Sequence, residues 1–221
     1  MSQLLPKAGA ETTRPAAVDL QTRRELLRGL PAQAARFAEL LGKVGSGEHT
    51  STGLSRAEAC ESLDLMLTGQ ATEAQIGAFL IAHRIRRPQP IELTGMLDSY
   101  RRHGPVLTSP GRRPLCFGVP YDGRSRTAPL LPLLALLLSA SGLPVVLHGG
   151  DPMPVKYGAT LAELFAVLGL EWRGLALNEV QTCLDQHGLA LTHQPHHFPS
   201  AERLVRVRAE IGKRPPVASL E

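Results

Sequence analysis

Two stretches of this 221-residue chain concentrate the residue types that handle phosphate. The first, residues 118–127 (GVPYDGRSRT), sets Gly118 and Gly123 beside Asp122, Arg124, Arg126 and Thr127. The second, residues 148–158 (HGGDPMPVKYG), carries His148, Gly149 and Lys156. Glycines between a strand end and a helix start leave backbone N–H groups and the positive end of the helix dipole aimed at one spot, which suits an anion. A glycine that only makes a turn looks the same in sequence. Arg124 and Arg126 add to the pattern. They precede a helix start, where a cation is unfavourable unless an anion lies between, and they are expected to touch one. Asp122 either staples those arginines or faces a metal-bound ligand, and the staple is the simpler arrangement. His148, at a strand end, is a general base, a ligand contact or a turn histidine bonded to backbone. Lys156 follows a Gly-Gly-Asp turn at the same edge and has few structural reasons to be there.

The elements that would position these groups alternate. Residues 115–118 read as a strand, 128–141 as an apolar helix, 145–148 as a second strand and 157–168 as a helix. A helix over 179–187 follows, with Asn178 as N-cap and Gly188 past its end, then a strand over 189–192 and a helix over 200–211. Strands separated by helices make a parallel sheet, and ligands in such sheets gather at the carboxyl ends of the strands, where both loops emerge. A helical layer comes first. Ser55 with Glu58 and Thr72 with Gln75 form capping boxes. The first opens a helix through about Thr68, with Cys60, Leu63 and Leu67 on one face; the second opens a helix to Arg84 that is apolar nearly all round. Phe37, Leu40, Leu41 and Val44 mark a helix ending at Gly45 and Gly47, after helical residues near Leu20 to Leu30, and a helix over 91–103 closes at Gly104 and Pro105. The expected fold class is α + α/β: a mobile arm over 1–18, a helical N-terminal domain over 19–104, and a partial parallel-sheet α/β domain over 105–221. A three-stranded sheet has two edges to protect, so the chain is expected to be a fragment or to complete its core with a partner.

Composition narrows the class. Apolar residues make up 43% of the chain and the net charge is +4, compatible with phosphorylated ligands or nucleic acid and diagnostic of neither. Only 4% of residues are aromatic, so base-stacking platforms are scarce, with Tyr100, Tyr121 and Trp172 the candidates. Three cysteines without paired spacing (Cys60, Cys116, Cys183) point to a reduced, cytoplasmic protein. The most apolar run, residues 128–140, is well short of the ~20 residues a membrane span needs. His193, His196 and His197 lack a Cys or carboxylate at ligand spacing and read as a solvated loop, and Cys116 reads as a core residue of its strand.

Residues 54–87 (LSRAEACESLDLMLTGQATEAQIGAFLIAHRIRR) resemble the helical N-terminal domain of anthranilate phosphoribosyltransferase and its relatives in the third glycosyltransferase family. The order that follows is similar too: a strand with a G…DG loop, a helix, a strand ending in His-Gly, a Lys-x-Gly turn and VRAEIGKR. The resemblance implies phosphoribosyl transfer from phosphoribosyl diphosphate (PRPP) to an aromatic amine in tryptophan biosynthesis, with Mg2+, by a homodimer joined through the helical domain. It implies diphosphate binding by Gly118, Asp122, Gly123 and Thr127 with His148, Gly149 and Lys156, with Arg124 and Arg126 in place of lost donors, and acceptor binding by Arg208. The family's GTGGDG loop is GVPYDG here: Pro120 lacks a backbone donor, and Val119 and Tyr121 crowd the approach. Gly150, Asp151, Pro152 and Pro154 stand where the family has Asn, Arg and Ser, and the family's magnesium carboxylates would lie beyond Glu221, so the chain looks C-terminally truncated and impaired as that enzyme. The YDGRSRT loop also resembles a divergent branch associated with nucleic-acid binding. The alternative it implies is a non-catalytic homodimer holding nucleic-acid phosphates in a groove lined by Arg124, Arg126 and Lys156, with Arg112 and Arg113.

Overall fold

Four helices form the first layer: α1 (Ala32–Gly45), α2 (Arg56–Leu67), α3 (Glu73–Arg86) and α4 (Pro90–His103). The structure, a computed structural model, describes residues 29–47, 49–109, 111–118 and 127–220. The expected arm, the expected helical residues from Leu20 to Arg28 and the loop residues Tyr121, Asp122, Gly123, Arg124 and Arg126 lie outside the described residues. The capping boxes form as the sequence predicts. Ser55 accepts from Glu58 N while Glu58 reaches back to Ser55 N, and Thr72 and Gln75 do the same. Each satisfies two N–H groups that the first turn would otherwise leave open.

The second layer is a three-stranded parallel sheet of β1 (Leu115–Gly118), β2 (Val145–Gly149) and β3 (Leu189–His193), in that spatial order. Side chains alternate across it as a strand requires. Val145, Leu147, Leu189 and Leu191 pack with Phe165 and Trp172 on one side, while Val146 and Ala190 meet Val180 and Leu184 on the other. Between the strands lie α5 (Leu131–Ala140), α6 (Leu161–Val167) and α7 (Leu177–His187), and after them α8 (Gln194–His197), α9 (Pro199–Ile211) and a 3-10 turn over Pro216–Ser219. The last segments return to the first layer: Phe198, Ala201, Leu204, Val207 and Val217 share one core with Phe37, Leu63, Phe79 and Met96. Arg203 of α9 donates to the Met66 and Leu67 carbonyls, groups that the end of α2 leaves without a helical partner.

Several boundaries differ from expectation. The helix expected from residue 157 starts at Leu161, because Thr160 caps it and Glu163 accepts from Thr160 N at 2.8 Å. Asn178 is not a cap: Glu179 reaches back to Ala176 N at 2.6 Å, which moves the helix start to Leu177. Cys116 is exposed and not in the core, because little packs over β1, whose residues stand largely in solvent while those of β3, the other edge, are buried. Tyr100 and Trp172 are largely buried and offer no open surface for stacking bases outside a cavity; Tyr100 meets Phe198 edge-on at 5.7 Å, and Trp172 meets Phe165 at 6.3 Å.

Candidate functional site

Parallel register lines up one residue from each strand end. Gly118 pairs with His148, and His148 with Thr192. These three line a cavity of about 480 Å³ between the strand ends and the helical layer, whose other walls include Tyr100, Arg101, Phe117, Gln194 and Phe198. A larger apolar groove of about 1270 Å³, between α1, α3 and α9, does not reach the strand ends.

His148 is held as the row dictates. Its Nδ1 lies 3.1 Å from the Thr192 hydroxyl, which in turn sits 3.4 Å from the Leu147 carbonyl. Burial pushes the imidazole down to about 4, because a cation there would lose its water. At neutral pH His148 is therefore an uncharged ring, with one nitrogen able to donate and the other to accept a hydrogen bond. In an NMR titration its ring signals are expected to stay constant from pH 8 to about 5 and to move only near pH 4. Movement near 6.5 would place the ring in open solvent. An unfolded chain protonates this histidine below about 6.5 while the folded chain waits until about 4, so stability is lost as pH drops through that window and the group adds no pH dependence above it.

The loop after β2 packs tightly beneath the cavity. A Cβ on Gly150 would stand 2.7 Å from Met153 Cε and 3.6 Å from Pro195 Cδ, so a side chain there would have to displace the buried Met153 methyl. Asp151 pairs with His193 at 3.1 Å, and the His193 N–H donates to His197 Nδ1 at 2.9 Å while His197 Nε2 donates to the Leu175 carbonyl at 2.9 Å. The expected solvated histidine loop is thus mostly ordered inside: β3 runs on through His193, Pro195 sits in the first turn of α8, and only His196 of the three is exposed. Among the described residues no group of three or more His, Cys, Asp or Glu side chains could hold a metal ion.

Of the residues the sequence singles out, the structure brings Gly118 and His148 to the cavity. Lys156 is exposed in the turn after β2, Gly149 is buried at the end of β2 and Thr127 is exposed, and none of the three lines the cavity. Arg208 is 2% exposed inside α9 and does not line it either. Thr192, Gln194, Tyr100, Arg101 and Phe198 line the cavity without having been expected there. The strand-end rule alone would have reached Thr192, the residue level with His148 on β3. Nothing local marks the others, which arrive from α4, α8 and the start of α9.

Residues 38–104 match the family model described as the helical bundle domain of the glycosyl transferase family. The anthranilate phosphoribosyltransferase of Methylocella silvestris is 34% identical over 175 residues, 79% of this chain and 48% of that protein. An uncharacterised protein of Escherichia coli, YbiB, is 29% identical over 180 residues, 80% of this chain and 55% of that one. Among solved structures, the anthranilate phosphoribosyltransferase of Thermus thermophilus superimposes with a TM-score of 0.69 at 26% identity, covering 82% of this chain and 53% of that one. The enzyme of Saccharomyces cerevisiae in complex with PRPP and Mg shares the fold, with a TM-score of 0.68 at 16% identity over 84% of this chain and 54% of that one. The chain spans about half the length of the curated relatives it matches. Residues 38–104 thus belong to the helical bundle domain of the glycosyl transferase family, and the two layers together have the fold of the anthranilate phosphoribosyltransferases.

Proposed function

We propose that the strand-end cavity is the ligand site of an anthranilate phosphoribosyltransferase-like protein, that it binds PRPP, and that phosphoribosyl transfer to an aromatic amine is impaired. The observation that carries this reading is the row of Gly118, His148 and Thr192 along one wall of the 480 Å³ cavity. In such a site catalysis is positioning and stabilisation of charge as the diphosphate leaves. Val119, Pro120 and Tyr121 stand where the family's diphosphate loop has Thr-Gly-Gly, which takes away a backbone donor and crowds the approach, and that supports the impairment. Pairing of two copies through the helical layer belongs to the same reading, supported by the apolar groove with Ile85 exposed in it.

The expected result is PRPP binding by calorimetry, with anthranilate consumption at least about 10³-fold slower than in a relative assayed alongside, the scale of losing preorganised donors. Transfer at the relative's rate would overturn the impairment. A second reading, nucleic-acid binding, is favoured by Arg101 at the cavity wall and by exposed Arg112 and Arg113 just before cavity-lining Pro114. If Arg112, Arg113, Arg124, Arg126 and Lys156 each neutralise one phosphate, the affinity for a labelled single strand falls with salt at a log–log slope of about −3.5. Salt-steep binding that PRPP leaves untouched would replace the transferase reading with this one.

A further inference from the structure

We propose that Arg101 holds the anionic group of the ligand in the strand-end cavity, and that this group is a phosphate of PRPP. The inference deepens the reading of this cavity as a PRPP site and rests on it. Arg101 lies in the last turn of α4 and is the one charged side chain among the described residues that line the cavity. The sheet contributes no charge. Gly118 has no side chain, Thr192 brings a hydroxyl, and His148 is a neutral imidazole at neutral pH. Leu107, Val146 and Phe198 are apolar. An anion entering a space with such walls needs a cation to offset its lost water, and Arg101 is the one at hand.

The guanidinium is open to a ligand. It stands 3.8 Å from Asp98 Oδ1, beyond hydrogen-bond range, and its side chain is 76% exposed. Asp98 is committed elsewhere: its two oxygens accept from Arg56 at 2.6 and 2.9 Å, which leaves the charge of Arg101 in excess. The next two cations of the same turn are committed as well. Arg102 pairs with one Asp64 oxygen, and His103 Nε2 lies 2.9 Å from the other. Lys156 and Arg208 do not line the cavity. An arginine at a helix C-terminus offsets the helix dipole wherever it points, so the dipole does not account for this one's place at the cavity wall. The planar fork of a guanidinium fits two phosphate oxygens at once. A volume of about 480 Å³ is in the range of small-molecule sites, which favours a sugar phosphate over a nucleic-acid strand. Arg101 comes from the helical layer and Gly118, His148 and Thr192 from the sheet, so a ligand that meets both walls joins the two layers.

Calorimetry with PRPP, pyrophosphate and ribose 5-phosphate as separate probes tests the assignment. Arg101→Gln is expected to weaken PRPP at least about tenfold, the value of one charge-assisted hydrogen bond, and to weaken by a similar factor the probe that carries the phosphate it holds. Arg101→Lys keeps the charge and loses the fork, and its affinity is expected to fall between the two. Arg206→Gln removes the same charge from an exposed position on α9 that does not line the cavity, and is expected to leave PRPP affinity within about twofold. Thermal melts confirm that each variant folds. Unchanged PRPP affinity in Arg101→Gln, or an equal loss in Arg206→Gln, would overturn the role of Arg101 and leave the cavity reading standing. A labelled single strand that loses affinity in Arg101→Gln while PRPP does not would overturn it in favour of a nucleic-acid backbone. If PRPP does not bind the unmutated protein, the inference and the cavity reading fail together.

Discussion

Replacing Glu92 with alanine is expected to lower folding stability by about 3–5 kcal/mol, the scale of stranding the partners of a buried charge. Glu92 sits in the first turn of α4 and is fully buried. Its Oε1 accepts from Leu54 N at 2.8 Å, its Oε2 from Gln89 N at 2.6 Å, and the Arg86 guanidinium pairs with it. One carboxylate thus ties the end of α3, the start of α4 and the segment leading into α2. Its loss leaves a half-buried arginine and two backbone donors without their acceptor, each of which carries its own desolvation cost. Burial alone would raise the Glu92 pKa, but Arg86 and the N–H groups of Gln89 and Leu54 outweigh it and hold the carboxyl below its ordinary value. The folded value lies below the unfolded one, so the stabilisation is complete above about 4.5 and is lost as pH falls through the folded value. Glu92→Gln keeps the shape and removes the charge. In urea denaturation its deficit against the unmutated protein is expected to shrink as pH drops below about 4.5. A deficit constant from pH 7 to pH 3 would mean that the charge contributes nothing.

Gly95→Ala is expected to destabilise the protein by about 2–3 kcal/mol, the cost of forcing atoms into a packed contact, against a helix-propensity gain of about 1 kcal/mol. The clash wins because of what it meets. A Cβ on Gly95 would lie 2.1 Å from the Arg56 backbone oxygen and 3.0 Å from Ala59 Cβ, so α2 and α4 would have to move apart instead of one side chain turning aside. Gly77, in α3, is the internal control. Its Cβ would meet Ile211 Cγ2 at 3.5 Å and Val207 Cγ1 at 3.9 Å, ordinary contact, and Gly77→Ala is expected to be neutral or stabilising by up to about 1 kcal/mol. Thermal melts of the two variants should therefore move in opposite directions. Parallel shifts would show that propensity, not the helix crossing, governs both positions.

Both glycines look alike in the sequence, and the contrast marks where sequence reading stops. Ser55 with Glu58 and Thr72 with Gln75 are legible because a capping box closes within four residues and competes with nothing distant. Thr160 with Glu163 carries the same signature, yet apolar spacing alone suggests an earlier helix start. Cys116 has the spacing of a core residue, but what covers a strand depends on elements far along the chain: β1 and β3 are both edges, and only β3 is buried throughout. The prolines around His193 and His197 point to a solvated loop; the actual contacts of the two rings, with Asp151 and the Leu175 carbonyl, come from segments some twenty to forty residues away.

By itself the sequence determined the local matters: helical bundle then alternating strands and helices, the order of the three strands, and the glycines and His148 at strand ends. Period, caps and turns are set by neighbours a few residues apart, so they survive without coordinates. The tertiary structure alone decided that Gly118, His148 and Thr192 stand level, that burial strips His148 of its charge, and that Gln194 is buried at the cavity wall. Those outcomes depend on which distant surfaces exclude water from one another, and a side chain's protonation and unmet hydrogen bonds follow from that exclusion.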